Sequence, residues 1–250
     1  RAGAYIGLRK ELMGQVVAAG SGQAPARRAA QYAGLPDEVG ASSLNKACGS
    51  GLKAIMMAAQ AIRAGDAHLL AAGGMESMSG APYLLRARQG FRYGHQQTLD
   101  SVIYDGLWCA IEEWMMGDAA EFIANEYEVT REAMDRLSFD SHQKAIVAQD
   151  AGKFKAEITP VIITDGKGRQ TTIDTDESPR RDTSLEALAK LKPAFQANGK
   201  VTAGNAPGLN DGGAAVVVAS REYADKHGRK PMARIVSYAQ AAVAPKFLFI

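Results

Sequence analysis

The run LNKACGSGLKA, residues 44–54, holds the side chain best suited to covalent chemistry. Cys48 stands directly before glycines 49 and 51 and an apolar stretch with helical spacing. A cysteine where a strand turns into a helix meets the N–H groups of the first helical turn, and their partial positive charge favours thiolate. A helix terminus is worth about 0.3–1 kcal/mol to an anion, about 2 when partly buried. A fully activated nucleophile therefore needs a base or a cation as well. The glycines, lacking Cβ, would let a substrate backbone or a thioester approach closely. Free cysteines are also among the most buried residue types, so a packed core thiol is the competing reading, and the residues alone leave both open.

A second site pattern overlaps the first. GSGLKA, residues 49–54, fits the loose dinucleotide pattern GxGxxA, with Glu76 placed after the next strand as a ribose-binding acid would be. The preceding ASSLNKA is polar, whereas the central strand of such a fold is continuously apolar. No phosphate loop of the GxxxxGK[ST] type occurs.

The elements that must position Cys48 are short. Residues 12–17 read as a strand ending at glycines 20 and 22. Pro25 suits the first turn of a helix that stops at Gly34. Residues 41–47 read as extended. Leu52, Ile55, Met56, Ala59 and Ile62 recur as one buried helical face, closed by Gly65. Residues 68–72 form an apolar strand, so strand, helix and strand alternate as in an α/β sheet.

From Met75 to Gly117 the chain is rich in glycine, arginine, methionine and aromatics without clear period, an irregular excursion. Helices are expected over 118–127 and 131–150, the second N-capped by Thr130. A capping box at TSLE, 183–186, starts another helix that stops before Pro193. Residues 214–219 carry a buried-strand pattern, and 232–243 read as a further strand.

Composition bounds the function. Of 250 residues, 46 % are hydrophobic and 22 % charged, as in ordinary soluble proteins. A net charge of +2 points to neither nucleic acid nor an acidic membrane surface. No apolar run is long enough to span a bilayer. Cys48 and Cys109 make neither a zinc motif nor a disulfide framework, which fits a reducing cytoplasm. The chain opens on Arg1 and closes on the apolar KFLFI, and so reads as a fragment.

Three motifs then carry a resemblance. SLNKACGSGLKA, residues 43–54, resembles the nucleophile segment of thiolases. AAGGMESMS, 71–79, resembles their AGGMESMS signature, and VTAGNAPGLNDG, 201–212, is similar to their VTAGNASGxNDG loop. The resemblance covers nearly the whole chain and is to the amino-terminal half plus an inserted loop domain. It implies an α/β fold with a layered mixed sheet, here truncated. Residues 1–77 and 201–231 would form the amino-terminal domain, 78–200 the CoA-binding loop domain, and 232–250 the start of a carboxy-terminal domain.

The implied activity is acyl-CoA:acetyl-CoA C-acyltransferase. Cys48 would carry the acyl group as a thioester for Claisen condensation of two acetyl-CoA, or for thiolytic cleavage of 3-ketoacyl-CoA. Coenzyme A thioesters would be substrates, with no metal or organic cofactor, and the full-length protein would be a homodimer or homotetramer. Residue by residue, Leu107 and Met116 match positions lining the pantetheine and acyl pocket, and Phe195 an aromatic beside CoA. Arg180 matches a basic residue by the adenine, and Ala203, Gly208 and Leu209 the loop along the pantetheine arm. Alone, these are as readily core residues or a solvated charge. Arg86, Arg88, Arg92 and Lys153 could help hold the CoA phosphates, although basic runs are more often solvated faces.

Two positions depart from the family pattern. Met115 stands where many biosynthetic members have histidine, leaving a flexible apolar side chain. Pro207 replaces the serine of the loop and removes both a hydroxyl and an N–H. The second-half motifs, a Gly-His-Pro histidine, an Asn-Glu-Ala asparagine and a Cys-x-Gly cysteine, do not occur. Histidines 68, 95, 142 and 227 sit in no such motif, and Cys109 reads as core of the loop domain. The chain alone would then be a poor catalyst. Other readings are a ketoacyl-synthase-type condensing enzyme and a non-catalytic CoA- or acyl-binding module.

Overall fold

The structure, a computed structural model, describes residues 7–250. In chain order the elements are β1 (Lys10–Gly14), α1 (Pro25–Tyr32), β2 (Gly40–Leu44), α2 (Ser50–Ala64), β3 (Leu69–Ser77), β4 (Tyr83–Leu84), β5 (Leu99–Asp100), a π-helical turn (Val102–Leu107), β6 (Trp108–Cys109), β7 (Trp114–Met115), α3 (Met116–Glu126), α4 (Arg131–Asp150), β8 (Val161–Thr164), β9 (Gln170–Ile173), α5 (Leu185–Ala189), β10 (Asp211–Ala219), α6 (Arg221–Lys226) and a 3-10 turn (Pro245–Phe247). They divide into two compact units, one of residues 7–113 with Leu209–Val243, the other Trp114–Gly208 with Ala244–Ile250. The division thus falls at 113/114, and residues 78–113 group with the sheet-bearing unit rather than with the later helices.

The first unit is built on a four-stranded mixed sheet in the order β10-β3-β1-β2. β1 pairs in parallel with β2 and β3, and β10 runs antiparallel along the outer edge of β3. Leu12, Leu70 and Ala72 meet Ala54 and Ala58 of α2 in the main core cluster. The small side chains at 54 and 58, one helical turn apart, let the helix lie close to the sheet.

Glycines bring the start of α2 closer still. A Cβ on Gly14 would lie 2.5 Å from Ser50 Cβ and 2.6 Å from the Ser50 carbonyl carbon. A Cβ on Gly74 would lie 3.3 Å from Gly51 Cα. Gly14 and Gly74 therefore seat the first turn of α2 on the ends of β1 and β3, whereas Gly73 makes room for the backbone of β10 at Ala214.

Several expectations need correction. Leu52, expected on the buried face of α2, is 67 % exposed, and the buried positions are Ser50, Ala54, Met56, Ala58 and Ala59. Leu52 lies on the side of the helix turned away from Ala54 and Ala58, the residues that meet the sheet. β10 carries a buried-strand pattern yet is exposed along almost its whole length, with Val217 68 % accessible, because it is an edge strand bonded only to β3. Residues 232–243 form no strand and lie mostly exposed. Among the described residues they have no neighbouring strand to complete a ladder, and a strand without one leaves its backbone groups to water.

In the second unit, α3 and α4 lie within two residues of their expected bounds. Thr130 caps α4 by accepting the Ala133 N–H at 3.2 Å. The α5 cap is Ser184 rather than Thr183, accepting from Ala187 N–H at 3.1 Å. Glu121, 1 % exposed, accepts the N–H groups of Lys200 and Val201 at 2.7–2.8 Å. Asn205 donates to Asp135 Oδ1 at 2.9 Å and accepts the Thr202 N–H at 2.7 Å, so α3 and α4 fix the loop at 200–205.

Candidate active site

Cys48 is exposed, at the turn between β2 and α2. The residue before it, Ala47, has φ 46°, in the left-handed region that costs an L-residue about 1–2 kcal/mol. Such a conformation persists where its surroundings enforce it, and here side chains grip it from both sides. Asn45 Oδ1 accepts the Ala47 N–H at 2.9 Å. Ser50 Oγ accepts the Lys46 N–H at 2.7 Å and donates to the Ala47 carbonyl at 2.6 Å. The backbone adds turns from Gly49 N–H to the Lys46 carbonyl and from Ser50 N–H to the Ala47 carbonyl. An accessible thiol on a strained, clamped elbow at a helix start is not a packed core cysteine, and the turn leaves it open to a reaction partner.

The dinucleotide reading does not survive. Glu76 directs its carboxylate at the N–H groups of Val16 and Val17, at 2.9 and 3.1 Å, and β2 is an exposed edge strand, not a buried central one. Asp211, of the NDG run, accepts from the Ser79 N–H at 2.9 Å and from the Ser79 and Ser77 hydroxyls. Those bonds, the Ser79 hydroxyl first, hold its carboxyl below the ordinary aspartate range.

The other sequence-matched residues divide between the two units. Leu107, half-buried at the end of the π-helical turn, and exposed Leu209 lie in the same unit as Cys48. Met115, Met116, Arg180, Phe195, Ala203, Pro207 and Gly208 lie in the second unit. Within it Met115 and Met116 are half-buried at the start of α3, where Asp118 Oδ2 accepts the Met115 N–H at 3.2 Å. The Phe195 ring lies against Gly117, where any Cβ would collide with it, and still leaves 39 % of the residue exposed. Ala203, Pro207 and Gly208 are exposed on the loop held by Glu121 and Asn205. Arg180 is exposed and paired to Asp182 through two bonds of 2.9 and 3.2 Å. Solvent screens an exposed pair of that kind, so the guanidinium can be drawn away by a competing anion.

Of the other basic candidates, Arg86 is engaged with the Tyr104 hydroxyl at 2.8 Å. Cys109 is half-buried on β6, in the sheet-bearing unit and not in the later helical one. His68 meets the Ser220 hydroxyl, His142 accepts the Arg180 N–H, and His227 stacks on Tyr223. Among the described residues no cluster of three or more His, Cys, Asp or Glu could hold a metal ion, and no helix is long and apolar enough to cross a membrane. Asn45 and Ser50, which clamp the elbow, were not singled out in the sequence, and Glu76 appeared there only as a ribose ligand.

The model of the thiolase N-terminal domain matches residues 7–222. An acetyl-CoA acetyltransferase of Pseudomonas aeruginosa is 53 % identical over 240 residues, 96 % of this chain and 61 % of that protein. A probable acetyl-CoA acyltransferase of Staphylococcus epidermidis is 46 % identical over 244 residues, 97 % of this chain and 62 % of its own length. The crystal structure of the Bacillus anthracis acetyl-CoA acetyltransferase superposes with a TM-score of 0.89 at 41 % identity, over 96 % of this chain and 60 % of that one. The chain therefore spans about three-fifths of the relatives it matches. With its layered mixed sheet, glycine-seated helix and cysteine elbow, it belongs to the thiolase family.

Proposed function

We propose that this chain carries the nucleophile of an acyl-CoA:acetyl-CoA C-acyltransferase. The Cys48 sulfur attacks the carbonyl carbon of an acyl-CoA, coenzyme A leaves as its thiol, and the acyl group stays on Cys48 as a thioester. A second acetyl-CoA, as its enolate, then takes the acyl group in a Claisen condensation. In reverse, coenzyme A cleaves a 3-ketoacyl-CoA. The observation that supports this most directly is the accessible Cys48 thiol on the clamped left-handed turn at the start of α2. The relatives whose names state an acetyl-CoA acetyltransferase activity point the same way.

In this reading Leu107, Met115 and Met116 line the acyl and pantetheine path, with Phe195 beside the cofactor arm and Arg180 near the adenine end. Ala203, Pro207, Gly208 and Leu209 follow the pantetheine. Residues 1–77 and 201–231 form the amino-terminal α/β domain, 78–200 the inserted CoA-binding domain, and 232–250 the start of a further domain. The complete enzyme works in the cytoplasm as a homodimer or homotetramer. The chain alone, without the second-half histidine and cysteine, turns over poorly.

Incubation of the chain with acetyl-CoA followed by peptide mass spectrometry tests the first step. The expected result is an acetyl group on Cys48, absent from a Cys48→Ala variant. An unmodified Cys48 at millimolar acetyl-CoA even in the full-length protein would instead support a thiolase-like binding module.

A further inference from the structure

The elbow at Cys48 is tied to a strand that is remote from it in sequence. Glu76, on β3, accepts the N–H of Val16 at 2.9 Å and of Val17 at 3.1 Å, fixing the chain just beyond β1. The Val16 carbonyl accepts from the Asn45 side-chain amide at 3.4 Å. The other end of that amide, Oδ1, accepts the N–H of Ala47, the left-handed residue that aims Cys48. A bond from the Gln15 N–H to the Leu44 carbonyl, 3.0 Å, joins the same two segments. One continuous path thus runs from a carboxylate through two backbone amides and one side-chain amide to the residue before the thiol.

We infer that Glu76 and Asn45 are positioning residues for Cys48. The Glu76 carboxylate holds the 15–17 segment, that segment orients the Asn45 amide, and Asn45 keeps Ala47 in the left-handed conformation that sets the direction of the chain into Cys48. Ser50 grips the elbow from its other side, directly and independently of the path through β1. The inference rests on the reading of Cys48 as nucleophile, but its test needs no coenzyme A.

Alkylation of the native chain with iodoacetamide, read by peptide mass spectrometry, reports Cys48 and Cys109 separately. In that reaction sulfur takes the carbamidomethyl carbon and iodide leaves. Asn45→Ala and Glu76→Ala should each slow Cys48 about tenfold, as loss of reactive geometry does. Glu76→Gln, which keeps one acceptor oxygen, should recover part of the rate. The Asn45→Ala/Glu76→Ala double variant should be no slower than the slower single one, because both act along one path, while Cys109 stays within about twofold. Asn45 is exposed, so its variant reads the path even if a Glu76 variant fails to fold. An unchanged Cys48 rate in Asn45→Ala overturns the inference, as does additive loss in the double variant or a parallel change at Cys109. If acetyl-CoA leaves no adduct while these rates behave as expected, the acyltransfer reading fails and the positioning role stands.

Discussion

Glu11 is a carboxyl on β1, an inner strand of the sheet, 6 % exposed, with its Oε2 lacking a hydrogen-bond partner among the described residues. Burial raises its pKa above the ordinary value of 4.5. Between that value and the raised one, the folded chain binds more protons than the unfolded chain, so stability falls as pH rises through this window. Glu11→Gln removes the ionisation. It should raise stability at pH 7 by about 1 kcal/mol, or roughly 2–4 °C in Tm, and the gain should vanish below pH 4.5, where the carboxyl is neutral in both states. Thermal melts of both proteins at pH 4 and pH 7 check this. Residue type and local spacing pointed to Cys48 because glycines and a helix start flank it. They could not point to Asn45, Ser50 or Glu76 as its supports, since a side chain bonded to backbone amides leaves no pattern in the residues it binds. Glu76 lies 60 positions from Val16, its first partner.

At the scale of elements, the contact between α2 and the strand ends is set by glycines 14, 51 and 74. Gly14→Ala should destabilise the first unit by about 1–3 kcal/mol, because its Cβ meets the backbone of Ser50 and not a flexible tip. The same change at Gly212, where a Cβ would meet nothing within 4 Å, should move stability by less than about 0.5 kcal/mol. Urea melts of the two variants compare them directly. Thr130→Ala should cost about 1 kcal/mol through loss of the α4 cap. Helices with a cap residue and several turns of sequence were readable almost to their ends, as α4 was. The burial of α2 was not, because small residues, Ala54 and Ala58, face the sheet, and a pattern of large apolar side chains points to a different side of the helix. Nor was the absence of a strand at 232–243, since strands exist only in pairs and the residues of one say nothing of the partner.

Across the whole molecule, the second unit depends on a buried carboxylate. Glu121→Ala would leave the N–H groups of Lys200 and Val201 without acceptors. Their hydrogen exchange should speed up roughly ten- to a hundredfold, with β3 amides unchanged, as a residue-resolved exchange experiment would show. The family and its mixed sheet were readable from three motifs, whereas the compact division at 113/114 leaves no mark in composition, which changes at residue 75. The sheet order also has a consequence for synthesis. β1, β2 and β3 lie within the first 77 residues, but the strand that closes the outer side of β3 starts 134 positions after Ser77, at Asp211. At typical elongation rates a nascent chain spends roughly ten seconds in that interval, with the open rim of β3 offered to any passing strand. Production in cells should therefore respond to translation speed and chaperone supply more than the finished protein's melting temperature would suggest.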